Sequence, residues 1–294
     1  MSASALEKRI RPPGGCVCVG LDLEPALVPP NLGPKTFLHQ LLSVLNDATA
    51  FKINFAFFER FWGEDAMRET VAFAKKHGVY LIADAKRCDV EHSAEHYAAR
   101  IFDELGFDAV TVSPYLGVDS ILPFLNRRDK LTFVLALSSN PGADDFQFHP
   151  YTSLEQALKA RSDCSLVSPL FVKVVQKLYE RAQNLPGDVG FVAGATRPEA
   201  LAWVRELAPD AFILVPGVGA QGGNVETVMQ QASGRILVNV GRDVVYAYRR
   251  FSIGDVPQSH ASSPEAYAAF IQWQNYAQKT LSFIGSTQRT NDRK

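Results

Sequence analysis

Val79-Tyr80-Leu81-Ile82-Ala83-Asp84-Ala85-Lys86-Arg87-Cys88-Asp89 runs apolar through Ala83 and then turns abruptly charged. A strand with one face in water alternates apolar and polar residues, so an unbroken apolar run indicates a strand covered on both faces, as parallel strands are. The charges that follow then fall at the strand's exit. The same grammar recurs along the chain, in apolar, β-rich runs over Cys16 to Leu23, Phe51 to Phe58, Val79 to Ala85, Ala109 to Pro114, Leu131 to Leu137, Val189 to Ala193, Ala211 to Val215 and Arg235 to Val240.

Between these runs, Thr36 to Thr49, Glu64 to His77, Val90 to Leu105, Leu166 to Gln183, Arg197 to Leu207 and Val225 to Gln231 space their apolar residues as helices do, with Gly117 to Asn126 a weaker case. Pro264 to Phe283 supplies a last helix. Eight strands each followed by a helical segment predict an α/β fold, a (β/α)8 TIM barrel, which takes about 250 residues and closes without exposed edges. The chain of 294 residues suits one such domain over 1–294. No linker divides it. The connection from Pro141 to Ser165 is longer than most loops and reads as an irregular insertion placed to cover a site, and the polar end from Gly285 to Lys294 reads as frayed.

Composition narrows the function classes. At 47% hydrophobic and 21% charged residues the chain can bury a sizeable core, and 30 basic against 31 acidic residues give no broad field for nucleic acid or an anionic membrane. Cysteines at 16, 18, 88 and 164 form no C-x-x-C pair and are too sparse for a disulfide scaffold, which fits thiols in a reducing cytoplasm. No run is long and apolar enough for a signal or a membrane span.

On a barrel, sites form at the C-terminal ends of strands. The polar residues there are Asp22, then Lys52 with Asn54, then Asp84 with Lys86 and Asp89, then Ser113, Ser138 with Ser139, Thr196, Gln221 and Arg242. Strand alternation puts Asp84 and Lys86 on one face, and Lys52 adds a second cation, so alternating ammonium and carboxylate groups share a confined site. Such an array either holds a proton donor ready or ties strands together as a structural ion network.

Pro216 to Gly223 after the seventh run and Gly241-Arg242 after the eighth occupy the usual phosphate position of a barrel. Glycines let backbone N–H groups approach an anion, and Arg242 offers a bidentate fork. Gly217, Gly219 and Gly222 also spell the G-x-G-x-x-G dinucleotide pattern, with Asp243 about 20 residues on. Only one strand follows, however, which disfavours a dinucleotide domain. His92 and His96 in H-x-x-E-H share a helical face able to bind zinc, but no third ligand is evident, and an ordinary helix face is the expectation. Cys16 and Cys18 read as core thiols, and Phe55, Phe57, Phe58, Phe61 and Trp62 as an aromatic packing cluster.

Gly20-Leu21-Asp22, Phe51 to Asn54, Asp84 to Asp89, Ser138 to Gly142, Pro216 to Gly223 and Gly241-Arg242, in this order, resemble the orotidine 5'-phosphate decarboxylase family over most of residues 16 to 250. Chain length, Gly194-Ala195-Thr196 and the insertion resemble its larger bacterial form. The D-x-K-x-x-D element alone is shared with barrel relatives acting on sugar phosphates. Joined to Lys52 and a glutamine-bearing phosphate loop, it is far more specific.

The resemblance implies loss of CO2 from orotidine 5'-monophosphate to give uridine 5'-monophosphate (UMP), the last step of pyrimidine nucleotide synthesis, with no metal or organic cofactor. It implies Lys86 as proton donor, Asp84 against the departing carboxylate, and Lys52 bracing Asp84 and the ribose. Asp89 would reach into a neighbouring subunit, hence a homodimer. Asp22 and Ser93 match ribose positions, Ser139 the pyrimidine edge, and Gln221, Gly241 and Arg242 the phosphate. Cys88 stands where the family usually carries glycine. Two rivals are weighed beside this. A magnesium-dependent sugar-phosphate decarboxylase or aldolase needs acidic ligands where Lys52 stands, and a non-catalytic nucleotide-binding protein would not need the intact Asp84, Lys86 and Asp89 set.

Overall fold

The computed structural model describes residues 1–10, 16–28, 32–46, 48–163, 167–218, 222–232, 234–246 and 275. Eight strands follow one another round a closed parallel barrel: β1 (Val17–Leu21), β2 (Ala50–Asn54), β3 (Tyr80–Arg87), β4 (Ala109–Val112), β5 (Leu131–Leu137), β6 (Asp188–Ala193), β7 (Phe212–Val215) and β8 (Ile236–Val240). Each lies within one of the apolar runs or within two residues of its ends. The expected (β/α)8 barrel is therefore the observed fold.

Two compact units make up the chain, one from Met1–Ala85, Arg100–Val110 and Val238–Lys294, the other from Lys86–Ala99 and Thr111–Leu237. In the first, β1 sits between β8 and β2, with Cys18 opposite Asn239 and Ala50, and β3 lies on the far side of β2 with Asp84 opposite Asn54. Asp108 is buried and accepts the Leu81 N–H at 3.0 Å and the Met1 ammonium. The Arg9 guanidinium donates to the carbonyls of Ala48 and Thr49 and so fastens an N-terminal helix, Ala3–Ile10, that lies outside the expected helical segments.

In the second unit β6 runs between β5 and β7, and Phe133, Phe191 and Phe212 from these strands are all buried. The helix Leu170–Ala182 buries Phe171, Val172, Val175, Leu178 and Ala182, a stripe one side wide, as the period of 3.6 requires. Arg205 is spent entirely on backbone, donating to the carbonyls of Ala208, Pro209, Ala211, Ala232 and Arg235, and burial pushes its pKa down to about 10.

Three expectations need correction. The second run does not continue as strand to Phe58. Beyond Asn54 the chain is helical, over Phe55–Phe57 and then a π-helical stretch Phe58–Trp62. The Asn54 side chain accepts the Ala56 N–H at 3.2 Å and caps that turn, while Phe55 and Phe58, three apart, turn inward together. Val90 to Leu105 is not one α-helix but Glu91–Ala98 followed by a π-helical stretch Ala99–Glu104. The insertion is not irregular, since it holds helices Ala143–Phe146 and Leu154–Ser162, the second capped by Ser153. Pro264 to Phe283, Gly285 to Lys294 and Cys164 lie outside the described residues, Asn275 excepted.

Candidate active site

The ends of β1, β2 and β3 carry a charged cluster inside the first unit. Lys52 is 5% exposed and Asp84 7%, and the Lys52 Nζ donates to Asp84 Oδ2 at 2.5 Å. Asp22 Oδ1 lies 3.9 Å from the same nitrogen and accepts a hydrogen bond from Asn54 Nδ2 at 2.8 Å. The register explains the meeting, because Gly20 and Ile82 flank Lys52 while Asn54 faces Asp84. Taking an ammonium out of water costs several kcal/mol, which a close, hydrogen-bonded counter-charge can offset. Burial alone would drive Lys52 to lose its proton. The carboxylates of Asp84 and Asp22 outweigh it, so its pKa stands above the ordinary lysine value and Lys52 is held as a cation.

Gly241 closes over this cluster. It is the residue before the short helix Arg242–Val245, and a side-chain carbon placed on it would stand 3.3 Å from Asp22 Oδ2. Arg242 is exposed at the start of that helix.

Lys86 follows Asp84 on β3, but its backbone takes φ +44°, in the left-handed region where side chains with a Cβ are strained. Strand alternation therefore fixes side-chain direction only as far as Ala85. The Lys86 N–H donates to Thr111 Oγ1 at 3.1 Å, a contact to a buried threonine on β4. Lys86 is exposed, whereas Asp89 is half-buried with Oδ1 accepting the Val90 N–H at 2.8 Å, and Ser93 is half-buried on the helix Glu91–Ala98. Ser139 is half-buried just beyond β5, beside a cavity of about 630 Å³.

Gln221 lies outside the described residues, as do Gly219 and Ala220. The flanks of its loop are placed. Gly217 and Gly222 take positive φ, and the Gly223 N–H donates to the Gly217 carbonyl at 3.0 Å, so the two flanks meet beyond β7.

Of the expected site residues, then, Lys52, Asp84 and Asp22 are in one cluster with Gly241 against it. Lys86, Asp89, Ser93, Ser139 and Arg242 are each placed at a strand exit or on the helix that follows. Thr111, which holds the Lys86 N–H, carries no sequence signal that separates it from Thr132, an equally buried strand threonine. Asn54 was named, but its double role as cap and as donor to Asp22 is visible only in three dimensions.

The remaining motifs are placed as follows. His92 and His96 are exposed, with ring centroids 5.1 Å apart edge to face, and among the described residues no three His, Cys, Asp or Glu side chains gather as for a metal. Cys16 and Cys18 are buried thiols outside any disulfide, each pushed up to about 12, mainly by burial. Phe55 and Phe58 are in the core, and Trp62 Nε1 donates to the Leu23 carbonyl at 2.8 Å.

Residues 15–250 match the model of the Orotidine 5'-phosphate decarboxylase / HUMPS family. The orotidine 5'-phosphate decarboxylase of Roseiflexus castenholzii is 43% identical over 248 residues, covering 79% of this chain and 84% of that protein. Among solved structures, the Leishmania donovani OMP decarboxylase is 28% identical with a TM-score of 0.71, over 94% of this chain and 99% of that one. The Leishmania donovani UMP synthase is 30% identical with a TM-score of 0.73, and this chain spans 56% of its length. By its barrel, the order of its motifs and the match over 15–250, the chain belongs to the orotidine 5'-phosphate decarboxylase / HUMPS family.

Proposed function

We propose that the chain, as one barrel domain, is a carboxy-lyase that converts orotidine 5'-monophosphate to UMP and CO2, closing pyrimidine nucleotide synthesis. The observation that carries the proposal is the buried Lys52–Asp84 pair at the exit of β2 and β3, with Lys86 two residues further along the same strand. The name carried by the relative 43% identical supports it.

The chemistry sets the demand. Breaking the bond between C6 and the carboxylate leaves an electron pair in the plane of the ring, where the π system cannot spread it. Stabilisation has to come from a fixed local charge. In the proposed assignment the Lys86 ammonium faces C6, stabilises the developing carbanion, and transfers its proton there as CO2 departs. Lys86 then regains a proton from water. Asp84 lies against the leaving carboxylate, and Lys52, kept cationic by Asp84 and Asp22, holds Asp84 in place and reaches the ribose. Asp22 and Ser93 take the ribose hydroxyls, Ser139 the pyrimidine edge, and Gln221, Gly241 and Arg242 the phosphate. Phosphate contacts far from C6 contribute binding energy that orders the site, so truncated substrates lose rate as well as affinity.

We further propose a cytoplasmic homodimer in which Asp89 completes the site of the neighbouring subunit. The three described cysteines are in no disulfide, and among the described residues no helix is long and apolar enough to cross a membrane. The test is the loss of orotidine 5'-monophosphate absorbance with excess chelator present. Turnover undiminished by chelator supports the proposal. Turnover that stops until magnesium is restored would replace it with the metal-dependent sugar-phosphate chemistry, and binding without turnover would leave a nucleotide-binding protein.

A further inference from the structure

We propose that Gln147 and Arg197 are positioning residues, through which the insertion fixes the Ser138–Asn140 turn so that Ser139 meets a pyrimidine edge in one geometry. The inference rests on the assignment of Ser139 to that edge.

The turn leaves β5 at Leu137 and is held at every peptide. Gln147 Oε1 accepts the Ser138 N–H at 2.8 Å while its Nε2 donates to Ser138 Oγ at 2.9 Å, so one amide grips both the backbone and the side chain of the same residue. Arg197 Nη1 donates to the Ser138 carbonyl at 3.3 Å and reaches the Asn140 carbonyl at 3.5 Å. Thr196 Oγ1 donates to the Ser139 carbonyl at 3.2 Å. Gly194 lets β6 come up against the turn, since a Cβ there would stand 2.7 Å from Ser139 Cα.

The groups that hold the turn are themselves fixed. The Gln147 N–H donates to the Ala143 carbonyl at 2.9 Å, and its carbonyl accepts the Phe171 N–H at 3.0 Å. Next to it Phe148 is fully buried, edge-on to Phe171 at 5.7 Å, which in turn meets Trp203 at 5.4 Å. Arg197 is anchored by Asp144 at 2.7 Å and stacks over Phe148 at 5.5 Å. A second anchor is Arg161, which lies over Trp203 at 4.6 Å and pairs with Glu206. The insertion is thus pinned to the helices Leu170–Ala182 and Pro198–Leu207, and its Gln147 reaches back to the turn.

Apolar contacts would have sufficed to pack the insertion. A bidentate amide and a guanidinium that between them hold Ser138 and Asn140, the residues on either side of Ser139, instead set orientation, which is how a binding group is held to within fractions of an ångström by its surroundings. That turn, through Ser139 and Asn140, lines the cavity of about 630 Å³ together with Pro141, Asp144, Thr196 and Arg197.

The experiment compares inhibition constants for two ligands, UMP and ribose 5-phosphate, which share the sugar phosphate and differ by the base. Gln147→Leu and, separately, Arg197→Met are expected to weaken UMP about tenfold and leave ribose 5-phosphate unchanged, while Gln147→Glu, which keeps the acceptor, stays near the native value. Equal weakening of both ligands, or no weakening of UMP in either variant, overturns the proposal. Ser139→Ala is the control: if it shows the base-selective loss and the two brace variants do not, the brace fails alone, whereas if Ser139→Ala shows no such loss, the assignment of Ser139 fails and the inference with it.

Discussion

Lys52 and Asp84 meet Nζ to Oδ2 at 2.5 Å with both side chains almost wholly out of solvent, and Asp22 stands 3.9 Å from the same ammonium. Two adjacent strands, β2 and β3, each deliver one partner. A buried pair of this kind contributes little net stability over an apolar substitute, but removing one member leaves the other charged and poorly solvated.

Lys52→Met should therefore destabilise the fold by about 3–5 kcal/mol, while Lys52→Met combined with Asp84→Leu should recover most of that loss without recovering turnover. Denaturant unfolding of the single and double variants, beside the decarboxylation assay, checks this. A double variant no more stable than the single one would show that the pair is not energetically coupled.

The buried thiols set an alkaline limit. Cys16 and Cys18 stay protonated in the fold up to about 12 against an ordinary 9.0, so above pH 9 the unfolded chain releases protons that the folded chain keeps. A pKa raised by folding contributes stability that is fully present below the unfolded value and is lost as pH rises towards the folded one. Stability should fall by up to about 1.4 kcal/mol per pH unit for each thiol in that window, and Cys18→Ala should flatten the slope. Lys52, also raised, steepens the fall only beyond the ordinary lysine range, about pH 10.4. Unfolding curves at stepped pH from neutral to about 10 read the thiols apart from the lysine.

Arg242 tests the phosphate assignment. It is exposed at the start of its helix and no fold contact depends on its charge among the bonds described, so Arg242→Ala should leave the melting temperature unchanged. The substrate KM should rise by the equivalent of about 2–3 kcal/mol, the worth of a charge-assisted contact. An unchanged KM would remove Arg242 from the site.

Asp89 tests the shared subunit. Asp89→Asn and Lys86→Ala proteins, each inactive alone, should regain part of the native rate when mixed, because one site of each hybrid dimer carries neither lesion. If labelled subunits are seen to exchange and no activity returns, Asp89 acts within its own chain or not at all.

The sequence makes the barrel legible because its strands are buried on both faces, and an apolar run such as Leu131 to Leu137 then coincides with β5 residue for residue. The same rule misleads at Phe51 to Phe58, where aromatic residues continue the apolar run after Asn54 has capped a helical turn; periodicity cannot separate a short buried helix from a strand. The N-terminal helix Ala3–Ile10 is short and carries three charged residues, so its signal was weak until Arg9 found the carbonyls of Ala48 and Thr49. At the site, Lys52, Asp84 and Asp22 were nameable because charges at apolar strand ends are costly anywhere else. Gln147 and Arg197 were not, since nothing in a polar insertion marks which residue will fold back onto Ser138. The positive φ of Lys86 was equally hidden, because lysine gives no sign of a left-handed backbone.

In the proposed mechanism Lys86 delivers the proton that replaces CO2. The most direct measurement is single-turnover decarboxylation of orotidine 5'-monophosphate by native protein and by Lys86→Ala, in deuterium oxide with chelator present, alongside nucleotide affinity for both. Native protein should turn over with one deuterium at C6 of the product, and Lys86→Ala should lose turnover by several orders of magnitude with UMP still bound. Lys86→Ala protein that still releases CO2 at a rate near the native one would contradict it.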